Sequence, residues 1–280
     1  MKCIACKKTN FKLFRENSFL KLPVFECKNC GLYVTGDSLE ALRRNAEVMF
    51  TNENSENVRE RSIRSDYTDD VSIGKKRQWI SQFAYCKKYF ENRIKILEIG
   101  SGAGQSLFWF EQEGFYVTGI DPDKNSVELV NKRLKNVKCL VGFAENFDTD
   151  EKFQVVWISH VFEHLFEPKN VLENLKNVLT EDGILFIEVP NCENEIILKS
   201  SVLENPSTYH YTKKSLLELA KHTDYDVQAC DYFRAPSRFE GLINLIFSKK
   251  LKIANIFPFY PKIKCGNKEG IDLRIILKKK

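Results

Sequence analysis

His160, Glu163 and His164 are spaced i, i+3 and i+4 directly after an apolar run, so on a helical turn their side chains point the same way. His210 follows, just before a second predicted helix. Three imidazole nitrogens and one carboxylate oxygen form a ligand set for a divalent ion of borderline hardness such as iron, zinc, manganese or nickel, in preference to magnesium, which takes oxygen. Without a metal, His160 or His210 can serve as general base, because an imidazole titrates near neutral pH. Either way, His160, Glu163, His164 and His210 are the candidate catalytic residues. His222 lies near the end of a predicted helix, where a contact with the helix dipole accounts for it.

The chain has nine cysteines. Cys86, Cys139, Cys192, Cys230 and Cys265 are scattered and read as reduced core thiols. The other four form two pairs, Cys3-x-x-Cys6 and Cys27-x-x-Cys30, a spacing at which thiolates close a tetrahedral zinc site. Redox-active or incidental pairs are the alternative. All four positions would be filled by sulfur, so this zinc is expected to be structural, in a module too small to fold without it.

Ile94–Ile99 is a short apolar run that ends in Gly100-Ser101-Gly102-Ala103-Gly104, and residues 105–113 read as a helix. Strand, glycine loop and helix make a cradle for a nucleotide cofactor. A second strand, Tyr116–Ile120, ends in Asp121, where a carboxylate can accept two hydrogen bonds from ribose hydroxyls. A dinucleotide loop would place its third glycine at position 105, which is Gln105.

The loop instead resembles the E-x-G-x-G-x-G signature of class I S-adenosylmethionine-dependent methyltransferases, through Glu98, Gly100, Gly102 and Gly104. The resemblance runs through most of residues 94–233. Asp121-Pro122-Asp123 is similar to the family's acidic second motif, Phe143-Ala144-Glu145 to the segment flanking the adenine, and Leu179–Pro190 to its L-x-x-x-G-x-L run through strand five. Gln154 departs from it, standing where an acidic residue usually opens strand four. The resemblance implies a Rossmann-like α/β fold with a seven-stranded, mostly parallel sheet whose last strand, within residues 271–277, is antiparallel. It implies S-adenosylmethionine as cofactor, held by Glu98, Gly100, Ser101, Gly102, Gly104, Asp121, Pro122, Ala144, Glu145 and Ser159. Some similar methyltransferases hold a divalent ion with Glu-x-x-Glu-His, which makes a second metal at His160, Glu163, His164 and His210 one expectation. In metal-free relatives the Glu-His pair shapes the pocket, which is the other.

The expected organisation is a zinc-ribbon-like module over residues 1–36, a linker or lid over 37–74, and a methyltransferase-like domain over 75–280, with a cap insertion at 234–270. The cap carries Phe239, Leu242, Ile243, Ile246, Phe247 and the cluster Phe257-Pro258-Phe259-Tyr260-Pro261. The longest apolar stretches are far shorter than the roughly 20 residues a membrane span needs. Met1–Cys6 holds a cysteine pair where a secretory leader would be apolar, so a cytoplasmic protein is expected. Residues 247–280 hold ten Lys or Arg against two acidic residues, in a chain of net charge +5. This basic edge is either simply solvated or attracts an anionic acceptor such as a sugar nucleotide, an RNA, or a lipid-linked glycan at a membrane surface, with Arg234 and Arg238 able to grip a phosphate. The leading expectation is O-methylation of a small-molecule hydroxyl, on a sugar or sugar-derived metabolite. RNA methylation, with the zinc ribbon and basic tail on the phosphate backbone, is the second. A catalytically silent cofactor-binding scaffold is the third, against which the intact glycines and Asp121 argue.

Overall fold

The computed structural model describes residues 1–17, 20–38, 40–41, 43–44, 73–89, 94–205, 207–237, 240 and 262–280. Most of the expected linker and most of the expected cap, including Arg238, Phe239 and the proline-aromatic cluster, lie outside them.

Among the described residues twelve strands build two sheets. Strands β1 (Phe11–Asn17), β2 (Leu22–Cys27), β3 (Tyr33–Thr35) and β9 (Tyr209–His210) form the smaller one, in the order β1-β2-β3-β9. The larger comprises β4 (Lys95–Ile99), β5 (Tyr116–Asp121), β6 (Val137–Val141), β7 (Phe153–Ser159), β8 (Leu179–Pro190), β10 (Tyr225–Arg234), β11 (Ile263–Cys265) and β12 (Asp272–Lys279). Its order is β11-β10-β12-β8-β7-β4-β5-β6. The central strands β4, β5, β6, β7 and β8 pair in parallel, and β12 inserts antiparallel between β8 and β10. This is the expected Rossmann-like arrangement with one correction: the sheet has eight strands, because β11, from the segment read as a cap, adds to its edge beside β10.

The local sequence explains the strands. Ile184–Val189 is apolar at every position but Glu188, as a parallel strand covered on both faces must be. Helices α1 (Ile73–Cys86) and α2 (Gln105–Gln112) lie on the face where Phe110, Trp157, Phe186 and Ile276 pack, with Trp79 stacked on Trp109 at 5.9 Å between ring centroids. Helix α3 (Lys124–Arg133) starts on Asp123, which accepts the Asn125 N–H, and adds Val127 and Val130 to that core. Helices α4 (Pro168–Leu175) and α6 (Lys213–His222) pack Leu172, Leu216 and Leu219 against Leu185, Ile187 and Ile275 on the other face. Helix α5 (Glu195–Glu204) is capped by Asn194 and packs Leu198 and Val202 against Val24 of the small sheet.

The amino-terminal module is therefore not a separate body. Its last sheet position is taken by β9, which pairs Tyr33 with His210 and Val34 with Tyr209, and its cysteines share one buried cluster with Leu172, Tyr209 and Leu216. Thr212, which starts α6, donates its hydroxyl to the Cys30 carbonyl at 2.9 Å. No helix among the described residues is long and apolar enough to cross a membrane.

Candidate active site and cysteine centre

The carboxyl ends of β7, β4, β5 and β6 lie side by side, and a cavity of about 360 Å³ opens across them, from His160 after β7 through Gly100 and Asp121 to Phe143 after β6. Three strand spacings separate its ends, about 14 Å at the usual interstrand distance, which suits an elongated ligand. The glycine loop lies in the middle of it. Gly100, Gly102 and Gly104 all have left-handed φ values, 74°, 52° and 78°. Gly100 is required sterically: a Cβ there would stand 2.3 Å from Val161 Cγ2. Gly102 differs, since a Cβ on it would meet nothing within 4 Å, and the empty space is the cavity itself. Gly104 caps α2 without a side chain. Replacing Gly100 with alanine is expected to drive Val161 out of place and to cost several kcal/mol, through strain at positive φ added to the overlap. A melting temperature within 2 °C of the parent would refute that.

Asp121 is buried at the end of β5. Its Oδ2 accepts the Gly102 N–H at 2.7 Å and its Oδ1 the Asp123 N–H at 2.9 Å. The carboxylate borders the cavity, where it can meet hydroxyls of a ligand. Glu98, on β4 behind the loop, accepts the Ser106 hydroxyl at 2.6 Å through Oε1, while its buried Oε2 has no protein partner. Burial pushes its carboxyl up to about 8, against the Ser106 hydrogen bond and with the help of nearby Asp121. Burial also raises Glu145, whose Oε1 accepts the Phe166 N–H at 3.0 Å and so ties the segment after β6 to the turn after β7. Pro122 and Ala144 line the cavity beside them. Ser101 contacts Cys139, and Ser159 accepts a hydrogen bond from Gln82 of α1 at 2.8 Å.

The histidines divide. His160 and His164 line the cavity. Glu163 Oε1 stands 3.7 Å from His160 Nδ1 and 3.9 Å from His164 Nε2, and Glu163 Oε2 is buried without a partner. His210 is elsewhere, which corrects the expected four-residue centre. It is buried in β9, with Nε2 2.9 Å from Thr35 Oγ1 and Nδ1 2.7 Å from Ser201 Oγ. Both nitrogens are occupied, and burial, with a smaller contribution from His164, lowers its pKa to about 3. It is a satisfied core histidine, with no nitrogen left for a metal or a substrate.

In its place the structure brings four residues that sequence reasoning missed. Glu188 of β8 lies directly across from Arg274 of β12, and their side chains form a fully buried ion pair; Lys262 pairs with Asp272 beside them. His160 Nε2 stands 3.1 Å from Glu188 Oε1 and 3.7 Å from Asp272 Oδ1. The available signal was a lone charge inside each of two apolar strands, Glu188 and Arg274. Such charges must pair once buried.

Of the basic edge, Lys249, Lys250 and Lys252 lie outside the described residues. Lys262, Lys264, Lys268, Arg274, Lys279 and Lys280 each contact a carboxylate of the fold, and Arg234 takes Glu240.

On the smaller sheet Cys3, Cys6, Cys27 and Cys30 converge. Their sulfurs all lie within 4.8 Å of one another, with Cys3 to Cys30 at 3.6 Å and Cys6 to Cys27 at 3.5 Å. Four sulfurs at zinc-bond length in a tetrahedron stand about 3.8 Å apart, so the donor set fits zinc. Each pair is followed by a left-handed residue, Lys7 (φ 63°) and Gly31 (φ 74°), whose N–H returns to the carbonyl of the first cysteine, Lys7 to Cys3 and Gly31 to Cys27. The two knuckles are built alike.

Comparison with known proteins agrees with this geometry. Residues 97–187 match the family described as "Methyltransferase domain". The "Ubiquinone biosynthesis O-methyltransferase" of Glaesserella parasuis serovar 5 (strain SH0165) is 31% identical over 108 residues, 35% of this chain and 45% of that protein. The "Demethylmenaquinone methyltransferase" of Thermotoga maritima is 27% identical over 99 residues, 34% of this chain and 43% of that one. The alignments thus span less than half the length of these relatives. Among solved structures, the plantazolicin methyltransferase BpumL in complex with SAH superposes with a TM-score of 0.57 at 18% identity, covering 86% of this chain and 96% of that one. A SAM-dependent methyltransferase from Archaeoglobus fulgidus gives 0.53 at 19%, covering 72% and 94%.

Proposed function

This chain carries a class I S-adenosylmethionine-dependent methyltransferase domain, and from that premise we propose that it transfers a methyl group to a hydroxyl of a small molecule, with a zinc ion holding the amino-terminal cysteines. The observation that carries the reading is the crevice in which Gly102 leaves room beside a carboxylate, Asp121, that borders the same space. When bound, the cofactor supplies an electrophilic methyl on a sulfonium, which a positioned nucleophile takes by in-line displacement.

The chain's residues divide the work. Asp121, next to Pro122, holds the ribose hydroxyls, and Phe143, Ala144 and Glu145 enclose the base at the β6 end. Gly100, Ser101, Gly102 and Gly104 let the backbone approach the middle of the ligand. Glu98, with its unpartnered buried oxygen, braces the loop from below through Ser106. Ser159 holds Gln82 against the β7 end. His160, Glu163 and His164 stand at that end, where the acceptor would meet the methyl.

Oxygen as the acceptor atom is supported by the O-methyltransferases among the relatives. The sugar acceptor and the RNA reading gain no support from them. A catalytic metal held by His160, Glu163, His164 and His210 is not part of the reading, since His210 lies outside the centre.

The test is calorimetry with S-adenosylhomocysteine, then mass spectrometry of methyl transfer to pooled hydroxyl compounds. Asp121→Ala removes two charge-assisted hydrogen bonds to the ligand and should weaken binding by about 2 kcal/mol or more, roughly 30-fold. Equal affinities of variant and parent would remove Asp121 from the site, and no heat from either would remove the function.

A further inference from the structure

His160 is held in an unusual way. Its backbone is left-handed, with φ 54°, a conformation that costs a non-glycine residue energy unless the surroundings enforce it. Glu188 enforces it twice, since its carbonyl accepts the His160 N–H at 2.9 Å while its carboxylate stands 3.1 Å from ring Nε2. Nδ1, on the other side of the ring, points to Glu163 Oε1 at 3.7 Å, and Nε2 also sees Asp272 Oδ1 at 3.7 Å. Both ring nitrogens thus face carboxylates. A neutral imidazole would aim a lone pair at one of them, and only the doubly protonated ring presents an N–H to each.

The surrounding charges lead to the same state. Glu163 from the turn after β7, Glu188 from β8 and Asp272 from β12 bring three carboxylates; Arg274 from β12 and Lys262 from before β11 bring two cations. Gln78, Gln82 and Ser81 of α1 add only neutral groups, at 2.7 Å and 2.6 Å from Glu188 Oε1 and 2.8 Å from Arg274 Nη1. His164 faces Glu163 from beyond. A protonated His160 is the third cation that balances the set.

Resting on the methyl-transfer reading above, we propose that Glu188, itself fixed by Arg274, Gln78 and Gln82, is a positioning residue that holds His160 as an imidazolium at the transfer end of the crevice. The separation of Nδ1 from Glu163 exceeds a hydrogen bond, so its proton is open to an oxygen entering from the cavity. His160 is then a fixed donor to the acceptor oxygen and not a base. With no base at this position, the acceptor must lose its proton unaided, which weakly acidic hydroxyls, such as those on aromatic rings, do far more readily than sugar hydroxyls. The hydroxyl proton leaves to solvent before transfer. The oxygen's electron pair then forms the C–O bond while the C–S pair stays on sulfur. Burial by itself would lower the pKa of His160, but Glu163 and Glu188 outweigh it and raise it to about 10. Its contribution to stability is accordingly complete below the ordinary histidine range and lost as pH rises through about 10.

The experiment is nitrogen NMR of the full chain labelled with ¹⁵N-histidine, with His160→Gln assigning the signals. Both His160 nitrogens should stay protonated from pH 6 to 8.5. Glu188→Gln and Glu163→Gln should each lower the ring's proton affinity at least tenfold. Glu163→Gln leaves the buried Glu188–Arg274 pair intact, so a folded variant is available. A neutral His160 at pH 7.5, or a midpoint that neither variant moves, overturns the proposal. So does broadening of His160 by stoichiometric Mn²⁺, which would assign His160, Glu188 and Asp272 to a metal. These arms need neither cofactor nor acceptor, so they fail independently of methyl transfer. Given to the enzyme as two pools, substituted phenols should be methylated and methyl glycosides should not; transfer to the glycosides, or to neither pool, overturns the acceptor assignment.

Discussion

Stripping the metal from the four-cysteine centre, or replacing Cys27 with serine, is expected to unfold the amino-terminal sheet and to lower the melting temperature of the whole chain. A structural zinc site contributes on the order of 10–16 kcal/mol of apparent binding free energy in isolated zinc-finger peptides, and this is folding energy because the site does not exist in the unfolded chain. Here the effect extends beyond the module, since Cys3, Cys27 and Cys30 belong to the same buried cluster as Leu172, Tyr209 and Leu216. Elemental analysis should find one zinc per chain, lost in the Cys27→Ser variant. Hydrogen exchange should show β9 losing protection along with β2 and β3. A zinc-free chain that melts at the same temperature as the parent would show that the thiols alone suffice.

The second large effect concerns Arg274. It is fully buried, pairs with Glu188, donates to Ser81 at 2.8 Å and lies over the Phe233 ring at 3.9 Å. Removing one partner of a buried pair typically costs about 3–5 kcal/mol, because the other charge is left in a low dielectric. Arg274→Met should therefore lower the melting temperature by roughly 10 °C in a chain of this size. The double variant Arg274→Met with Glu188→Leu should recover part of that loss, since two apolar groups need no compensation. The pair also sets a pH dependence. Although burial opposes it, Arg274, His160 and Lys262 hold Glu188 well below the usual carboxylate range. Its stabilising contribution is therefore present above the ordinary glutamate pKa and disappears as pH falls through the lower, folded value. A drop below 2 °C for Arg274→Met would mean that Lys262, His160 and the two glutamines already satisfy Glu188.

The legible parts of the site were those encoded within one supersecondary unit. The loop at Gly100–Gly104 and the carboxylate at Asp121 are about twenty residues apart in sequence, and β4, the loop and β5 are adjacent in space, so spacing alone conveyed the geometry. The cysteine knuckles were legible for the same reason. What was not legible depended on strand order. Glu188 and Arg274 are 86 residues apart and meet only because β12 enters the sheet antiparallel beside β8, a fact no local pattern states. His210 misled for the opposite reason. Its residue type suggested chemistry, but pairing with Tyr33 of β3 drew it into the small sheet and gave both ring nitrogens to hydroxyls. A histidine declares its capacity in sequence and its use only in three dimensions.

The short strand β9 carries one further implication. At its start, Thr208 donates its N–H to the Glu163 carbonyl at 2.9 Å, and Tyr209 donates its hydroxyl to the Phe166 carbonyl at 3.2 Å. The backbone that presents Glu163 and His164 is thus clamped from behind by a residue pair seated on the cysteine-rich sheet. Loss of thiol integrity, by oxidant or by removal of a metal, would on the readings proposed above loosen the jaw of the cleft without touching any group inside it, which ties methyl transfer to the state of four distant sulfurs.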